Sequence, residues 1–203
     1  MLHADSQATD AAAPARPLSR TLLFLRRWAA NPLEMGSLVP SSPALSRRVA
    51  AAAVRLAAGG SVVELGAGTG AITQALLDGG IAPSRLTVVE IVPEMAEMLA
   101  ATWPGVRVIT GDAWSLSSLL GEDGLGRTGA VVCGIPLVLL RQARQAALIA
   151  EIEAVAPGRG FLHYSYCITS PLPCAGLGLT GQRLAWTPLN LPPASVWHYT
   201  KRV

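Results

Sequence analysis

Val62-Val63-Glu64-Leu65-Gly66-Ala67-Gly68-Thr69-Gly70 is the stretch that decides the fold. An apolar run of the kind found in buried parallel strands ends in an acid. A glycine-rich turn follows, and Ala71-Ile72-Thr73-Gln74-Ala75-Leu76-Leu77 continues with helical periodicity. Glycine at 66, 68 and 70 permits a tight turn and the close approach of a ligand. A strand, glycine turn and helix in this order predict a nucleoside-binding loop.

Two cofactors fit that loop. Gly66-Ala67-Gly68-Thr69-Gly70-Ala71 matches the dinucleotide pattern, in which a pyrophosphate sits at a helix N-terminus. With Glu64 ahead of it, the segment also resembles the E-x-G-x-G-x-G loop of methyltransferases dependent on S-adenosylmethionine (SAM). An acid at the strand end suits a cationic sulfonium and repels a pyrophosphate, which favours SAM.

Two further strand ends carry acids. Arg85-Leu86-Thr87-Val88-Val89-Glu90 ends in a carboxylate placed to accept hydrogen bonds from both ribose hydroxyls, with Ile91 beside it. Val106-Arg107-Val108-Ile109-Thr110 leads into Gly111-Asp112-Ala113. The methyltransferase resemblance implies that Asp112 meets the adenine amino group. The plainer reading of Glu90 and Asp112 is capping of the helices that follow.

At 203 residues the chain is expected to form one main domain with a substantial core. The alternation over 61–168 predicts a doubly wound α/β sheet, with strands near 61–66, 85–90, 106–110, 130–134 and 160–168. Helices are predicted at 44–57, 70–79, 93–101, 115–120 and 141–155, the last stopped by Pro157-Gly158. Two later runs, Gln182–Thr187 and Ser195–Thr200, read as strands. Cys133, Cys167 and Cys174 are odd in number and lack metal-ligand spacing, which argues for a reducing, cytoplasmic compartment and against a zinc site. No apolar stretch reaches the roughly 18–20 residues of a bilayer span.

Charge is uneven. Residues 1–60 carry seven arginines against Asp5, Asp10 and Glu34, a balance of plus four within a net charge of +3. Residues 1–17 are rich in Ala, Asp, Ser, Thr and Pro and read as disordered. From Leu18 to Ala30 the pattern is an amphipathic helix: Leu18, Leu22, Leu25 and Ala29 share a face that Phe24 and Trp28 extend, and Arg16, Arg20 and Arg27 oppose it. Such a helix either lies on an anionic membrane surface or packs on the sheet with its arginines in water. Residues 18–57 thus form a membrane-associating and cofactor-covering segment ahead of a catalytic domain at 58–203. Ser41 and Ser42 are candidates both for helix capping and for covering the cofactor.

Four stretches together resemble the bacterial phospholipid N-methyltransferases. They are Phe24-Leu25-Arg26-Arg27-Trp28 through Val39-Pro40-Ser41-Ser42, then Val63–Gly70, Gly134-Ile135-Pro136-Leu137, and Asn190-Leu191-Pro192-Pro193-Ala194 with Val196-Trp197. Ornithine-lipid methyltransferases and rRNA adenine dimethylases share parts of this pattern. The dimethylases carry an aromatic residue where this chain has Leu137, which disfavours a nucleic-acid substrate. The resemblance implies a Rossmann-like seven-stranded sheet closed by a C-terminal hairpin. It implies SAM held by Ser41, Ser42, Glu64, Gly66, Gly68, Gly70, Glu90, Ile91, Gly111, Asp112, Ala113 and Gly134, with no metal. The implied activity is methylation of phosphatidylethanolamine towards phosphatidylcholine, at the inner face of the cytoplasmic membrane.

An amine must lose its proton before it attacks a methyl group. No Asp or Glu follows Glu153, so the last fifty residues supply no carboxylate base. Tyr164 and Tyr166, on one face of the fifth strand with Leu162, and the carbonyls of Gly134, Ile135 and Pro136 are the candidates for aligning the amine; His163 falls on the other face. Which arginine meets the lipid phosphate, and the oligomeric state, are left open by the sequence.

Overall fold

The computed structural model describes residues 42–122, 124–167, 169–188 and 193–202. The amphipathic helix at 18–30, Ser41 and Asn190-Leu191-Pro192 lie outside the described residues.

The chain runs α1 (Pro43–Ala57), β1 (Ser61–Leu65), α2 (Ala71–Asp78), β2 (Leu86–Glu90), α3 (Pro93–Thr102), β3 (Arg107–Thr110), α4 (Leu116–Leu120), β4 (Thr128–Cys133), α5 (Gln142–Val155), β5 (Phe161–Ser165), α6 (Cys174–Leu177), β6 (Leu179–Thr187) and β7 (Ala194–Lys201). The seven strands form one sheet in the order β3-β2-β1-β4-β5-β7-β6. The first five are parallel, and β7 enters antiparallel between β5 and β6. This is the seven-stranded α/β sheet with a closing C-terminal hairpin expected from the sequence.

Parallel strands covered on both faces need apolar side chains on both, which is why β1 and β4 read as continuous apolar runs. Val62 and Val88 face one core with Leu45, Val49, Ala53, Leu76 and Leu99 from α1, α2 and α3. Val63, Leu65 and Val89 face the other with Leu116, Leu148 and Ile152 from α4 and α5. On α1, Leu45, Val49, Ala53 and Ala57 recur every fourth residue and are all buried. Its start is fixed by Pro43 in the first turn and by Ser42 Oγ, which accepts from Leu45 N–H at 3.3 Å. Because α1 belongs to the sheet's own core, residues 43–57 are part of the main domain and not of a separate segment.

Strand β5 ends at Ser165 and leaves Tyr166 just beyond it, shorter than the predicted 160–168. The hairpin is longer than expected, and β6 bulges between Arg183 and Ala185. Periodicity missed the four-residue α6, which is too short to show a helical repeat.

Strand order reverses at β1, whose neighbours are β2 and β4. Helices leave the sheet on opposite faces there, and a crevice opens beyond the carboxyl ends of the strands.

Candidate functional site

A cleft enclosing about 450 Å³ of space, part of it open to solvent, fills that crevice. Its walls are the loops after four successive strands: Gly66 and Gly68 after β1, Glu90 and Ile91 at β2, Gly111 to Trp114 after β3, and Ile135 with Pro136 after β4. Val89 completes it. Sequence reasoning names nine of these residues: Gly66, Gly68, Glu90, Ile91, Gly111, Asp112, Ala113, Ile135 and Pro136. Val89 was missed as an ordinary strand residue. Trp114 was missed although an aromatic two residues past Asp112 was visible.

The three acids divide the work differently from the sequence reading. Glu64 is only 2% exposed and does not line the cleft. Its Oε2 accepts from Thr73 Oγ1 at 2.7 Å, so it ties β1 to α2 beneath the glycine loop. Burial, above all, and then the nearby Glu90 push its pKa up to about 7, against the hydrogen bonds from Thr73. A carboxyl near half-protonation at neutral pH is a weak counter-charge. Its expected direct attraction for a cationic ligand gives way to support of the loop.

Glu90 does line the cleft. Its Oε2 accepts from Gly68 N–H at 2.9 Å, and Oε1 accepts from Ile91 and Val92 N–H at 2.8 and 3.0 Å. A carboxylate has about four acceptor positions. Three are taken by backbone, so there is room for one ribose hydroxyl and not the two expected. Asp112 is a cap, as the plainer reading has it, and it also lines the cleft. Its Oδ1 caps the turn by accepting from Trp114 N–H at 3.1 Å, while its other oxygen makes no hydrogen bond among the described residues.

The glycines also part company. Gly68 has φ +56°, and a Cβ there would meet nothing within 4 Å, so the loop presents bare backbone to the cleft. Gly70, φ +82°, is buried, and a Cβ on it would run into the Trp103 ring and Leu99. It lets the start of α2 pack closely against the end of α3 and does not line the cleft.

Tyr164 and Tyr166 are half-buried against the α1-side core, and neither lines the cleft. A Cβ on Gly134 would lie 2.8 Å from the Tyr164 hydroxyl and 2.7 Å from the Gly66 carbonyl, so that hydroxyl buttresses the crossing of the two loops. Gly134 and Ser42 likewise stand behind the cleft wall and cap α1 respectively. His163 is buried with Nδ1 3.0 Å from the Cys133 carbonyl, and burial lowers its pKa to about 4. It is a neutral structural imidazole. Burial lifts the Cys133 thiol to about 12, which removes it as a nucleophile. No group of three or more His, Cys, Asp or Glu side chains that could hold a metal occurs among the described residues.

These residues fit SAM. Gly68 leaves space for a ligand, Glu90 and Asp112 keep free acceptor positions, and the remaining wall is apolar enough to hold an adenine ring and a thioether chain.

No protein-family profile matches the chain. The fold is that of the 1,6-didemethyltoxoflavin-N1-methyltransferase of Burkholderia thailandensis: TM-score 0.63 and 21% identity, over 95% of this chain and 93% of that one. A TehB-like SAM-dependent methyltransferase of Corynebacterium glutamicum aligns with TM-score 0.53 and 14% identity over 89% of this chain and 97% of the other. Sequence similarity reaches further. The ornithine lipid N-methyltransferase of Singulisphaera acidiphila is 32% identical over 141 residues, which span 68% of this chain and 73% of that protein. SAM is the cofactor, on fold, relative and loop geometry together. The chain belongs to the same family as that lipid N-methyltransferase, among the class I SAM-dependent methyltransferases.

Proposed function

We propose that the chain methylates the amine of a membrane-lipid headgroup at the membrane surface. The observation that carries this is the 32% identity with an ornithine lipid N-methyltransferase. An ornithine-lipid amine is therefore the first acceptor to test. The ethanolamine of phosphatidylethanolamine comes second, on the resemblance of the Gly134–Leu137 and Pro193–Trp197 stretches.

When bound, SAM supplies an electrophilic methyl group on a positive sulfur. The chain's own part is to present a neutral amine. A free ammonium has a pKa of about 10. Ile91, Ile135, Pro136 and Trp114 give the cleft an apolar wall, which disfavours the charged form and lowers that pKa. Leu137 and Leu139 N–H donate to the Ile135 and Pro136 carbonyls at 2.8 and 3.1 Å. Of the three loop carbonyls expected to align the amine, Gly134's alone stays outside that turn. Positioning is the main contribution of the site, and proton abstraction a minor one.

The test is transfer of labelled methyl from SAM to vesicles containing ornithine lipid or phosphatidylethanolamine, with product analysis. Label in either lipid supports the reading and identifies the acceptor. Label in RNA, with none in lipid, overturns it.

A further inference from the structure

The proposed acceptor carries an anion as well as an amine: a carboxylate in an ornithine lipid, a phosphate in phosphatidylethanolamine. One arginine stacks on a residue of the cleft wall. Arg144, in the first turn of α5, lies over Trp114 with Cζ 4.2 Å from the ring centroid. The Trp114 indole N–H donates in turn to the Arg144 carbonyl at 2.9 Å. These two contacts lock the pair together, and Trp114 is part of the cleft wall.

The guanidinium nonetheless makes no hydrogen bond or ion pair among the described residues, and its buried Nε has no partner. An arginine has five N–H donors, and leaving one buried without an acceptor is costly. No acid occurs in the sequence between Asp123 and Glu151 to satisfy it.

The segment leading to Arg144 adds an apolar element. Val138 is 45% exposed and Leu139 56%. Their exposure is held in place: the buried Gln145 donates from Nε2 to the Leu137 and Leu140 carbonyls at 2.8 and 3.1 Å, which clamps the turn from below. Ile135 and Pro136 at one end of this stretch form the cleft wall, and Arg141 and Arg144 at the other end are cationic. Large apolar side chains next to arginines suit a bilayer, where the first contacts acyl carbons and the second anionic headgroups.

We propose that Arg144, mounted on Trp114, holds the anion of the acceptor headgroup, and that Val138 and Leu139 beside it contact the acyl region of the same bilayer. The inference rests on the aminolipid reading. It makes Arg144 the residue that distinguishes an aminolipid from a simple amine.

The experiment compares the full-length wild type with Arg144→Gln and Arg144→Lys. Acceptors are a short-chain ornithine lipid, a short-chain phosphatidylethanolamine and a primary alkylamine without an anion. The ratio of kcat/KM for the anion-bearing acceptor to that for the alkylamine is expected to fall about tenfold to a hundredfold in Arg144→Gln, through KM, and to recover partly in Arg144→Lys. The anion whose KM moves more is the one held. An unchanged ratio overturns the assignment, whether or not overall activity falls. If wild type methylates neither lipid, the aminolipid reading fails by itself. Binding of the short-chain lipids, by equilibrium dialysis, then decides the arginine: weaker binding to Arg144→Gln supports the site, and equal binding overturns it. Val138→Ser/Leu139→Ser is expected to weaken sedimentation with vesicles about tenfold. Equal sedimentation overturns the apolar half of the proposal.

Discussion

The rim of the sheet has two unlike halves. On the β1–β3 side, three acids stand at three strand ends, each tied by hydrogen bonds: Glu64 to Thr73, Glu90 to Gly68, Ile91 and Val92, and Asp112 to Trp114. On the β4–β5 side no carboxylate lines the cleft; Ile135 and Pro136 form the wall, with a neutral His163 buried behind. Under the proposed function the contrast follows from the ligands. A nucleoside needs fixed acceptors for its hydroxyls and amino group. An amine that must shed a proton is better served by an apolar wall.

The largest effect is expected where the acidic half is most heavily bonded. Glu90→Ala leaves three backbone N–H groups without their acceptor, each costing about 1–3 kcal/mol when buried. SAM affinity should fall at least about a hundredfold by calorimetric titration, and melting temperature should fall with it. A dissociation constant within threefold of wild type would show that the acid does not organise this half.

Two alanine substitutions in one loop separate binding from folding. Gly70→Ala drives a methyl group into Trp103 and Leu99, and should cost about 3 kcal/mol of stability. Gly68→Ala meets no atom, so it should cost only about 1–2 kcal/mol for its positive φ, while its methyl group enters the cleft and weakens SAM roughly tenfold. Denaturant melts and titrations on both variants check this; a reversed pattern would mean that Gly70 and not Gly68 faces the cofactor.

The acidic half was legible in the sequence because its devices are local. Glu64, Glu90 and Asp112 each lie within two residues of a strand's end, and the glycines lie within five residues of one another. Even so, Glu64 was read as facing the ligand, because a strand's end does not reveal whether a side chain turns up to the cleft or down to Thr73. The other half depends on partners far apart in sequence. Trp114 and Arg144 are thirty residues apart, and only α5 packing on α4 brings them together. Alternation puts Tyr164 on the correct face of β5 with Leu162, but it could not show that this face packs against α1.

Tyr164→Phe asks whether the second half contains an active hydroxyl. With that oxygen beside Gly134 and not on the cleft wall, kcat should change less than about threefold. A loss of a hundredfold or more, with SAM affinity intact, would return the tyrosine to direct contact with the amine.

The smallest effect is one that wild type conceals. Glu64 is raised from 4.5 to about 7, so between those values the folded state holds a proton the unfolded chain has lost; stability is full below pH 4.5 and is lost as pH rises through 7. His163 is lowered from 6.5 to about 4, so its contribution is full above pH 6.5 and is lost as pH falls through 4. From pH 4.5 to 6.5 the two slopes have opposite signs and similar size, at most about 1.4 kcal/mol per pH unit each. Their joint contribution to wild-type stability should therefore be nearly flat there. Glu64→Gln removes the falling slope, so its stability relative to wild type should rise with pH. His163→Gln removes the rising slope, and its relative stability should fall. Urea denaturation of the three proteins at pH 5.0, 5.75 and 6.5 measures the differences, and parallel profiles would mean that neither group is buried in the ionisation state that its half of the sheet imposes.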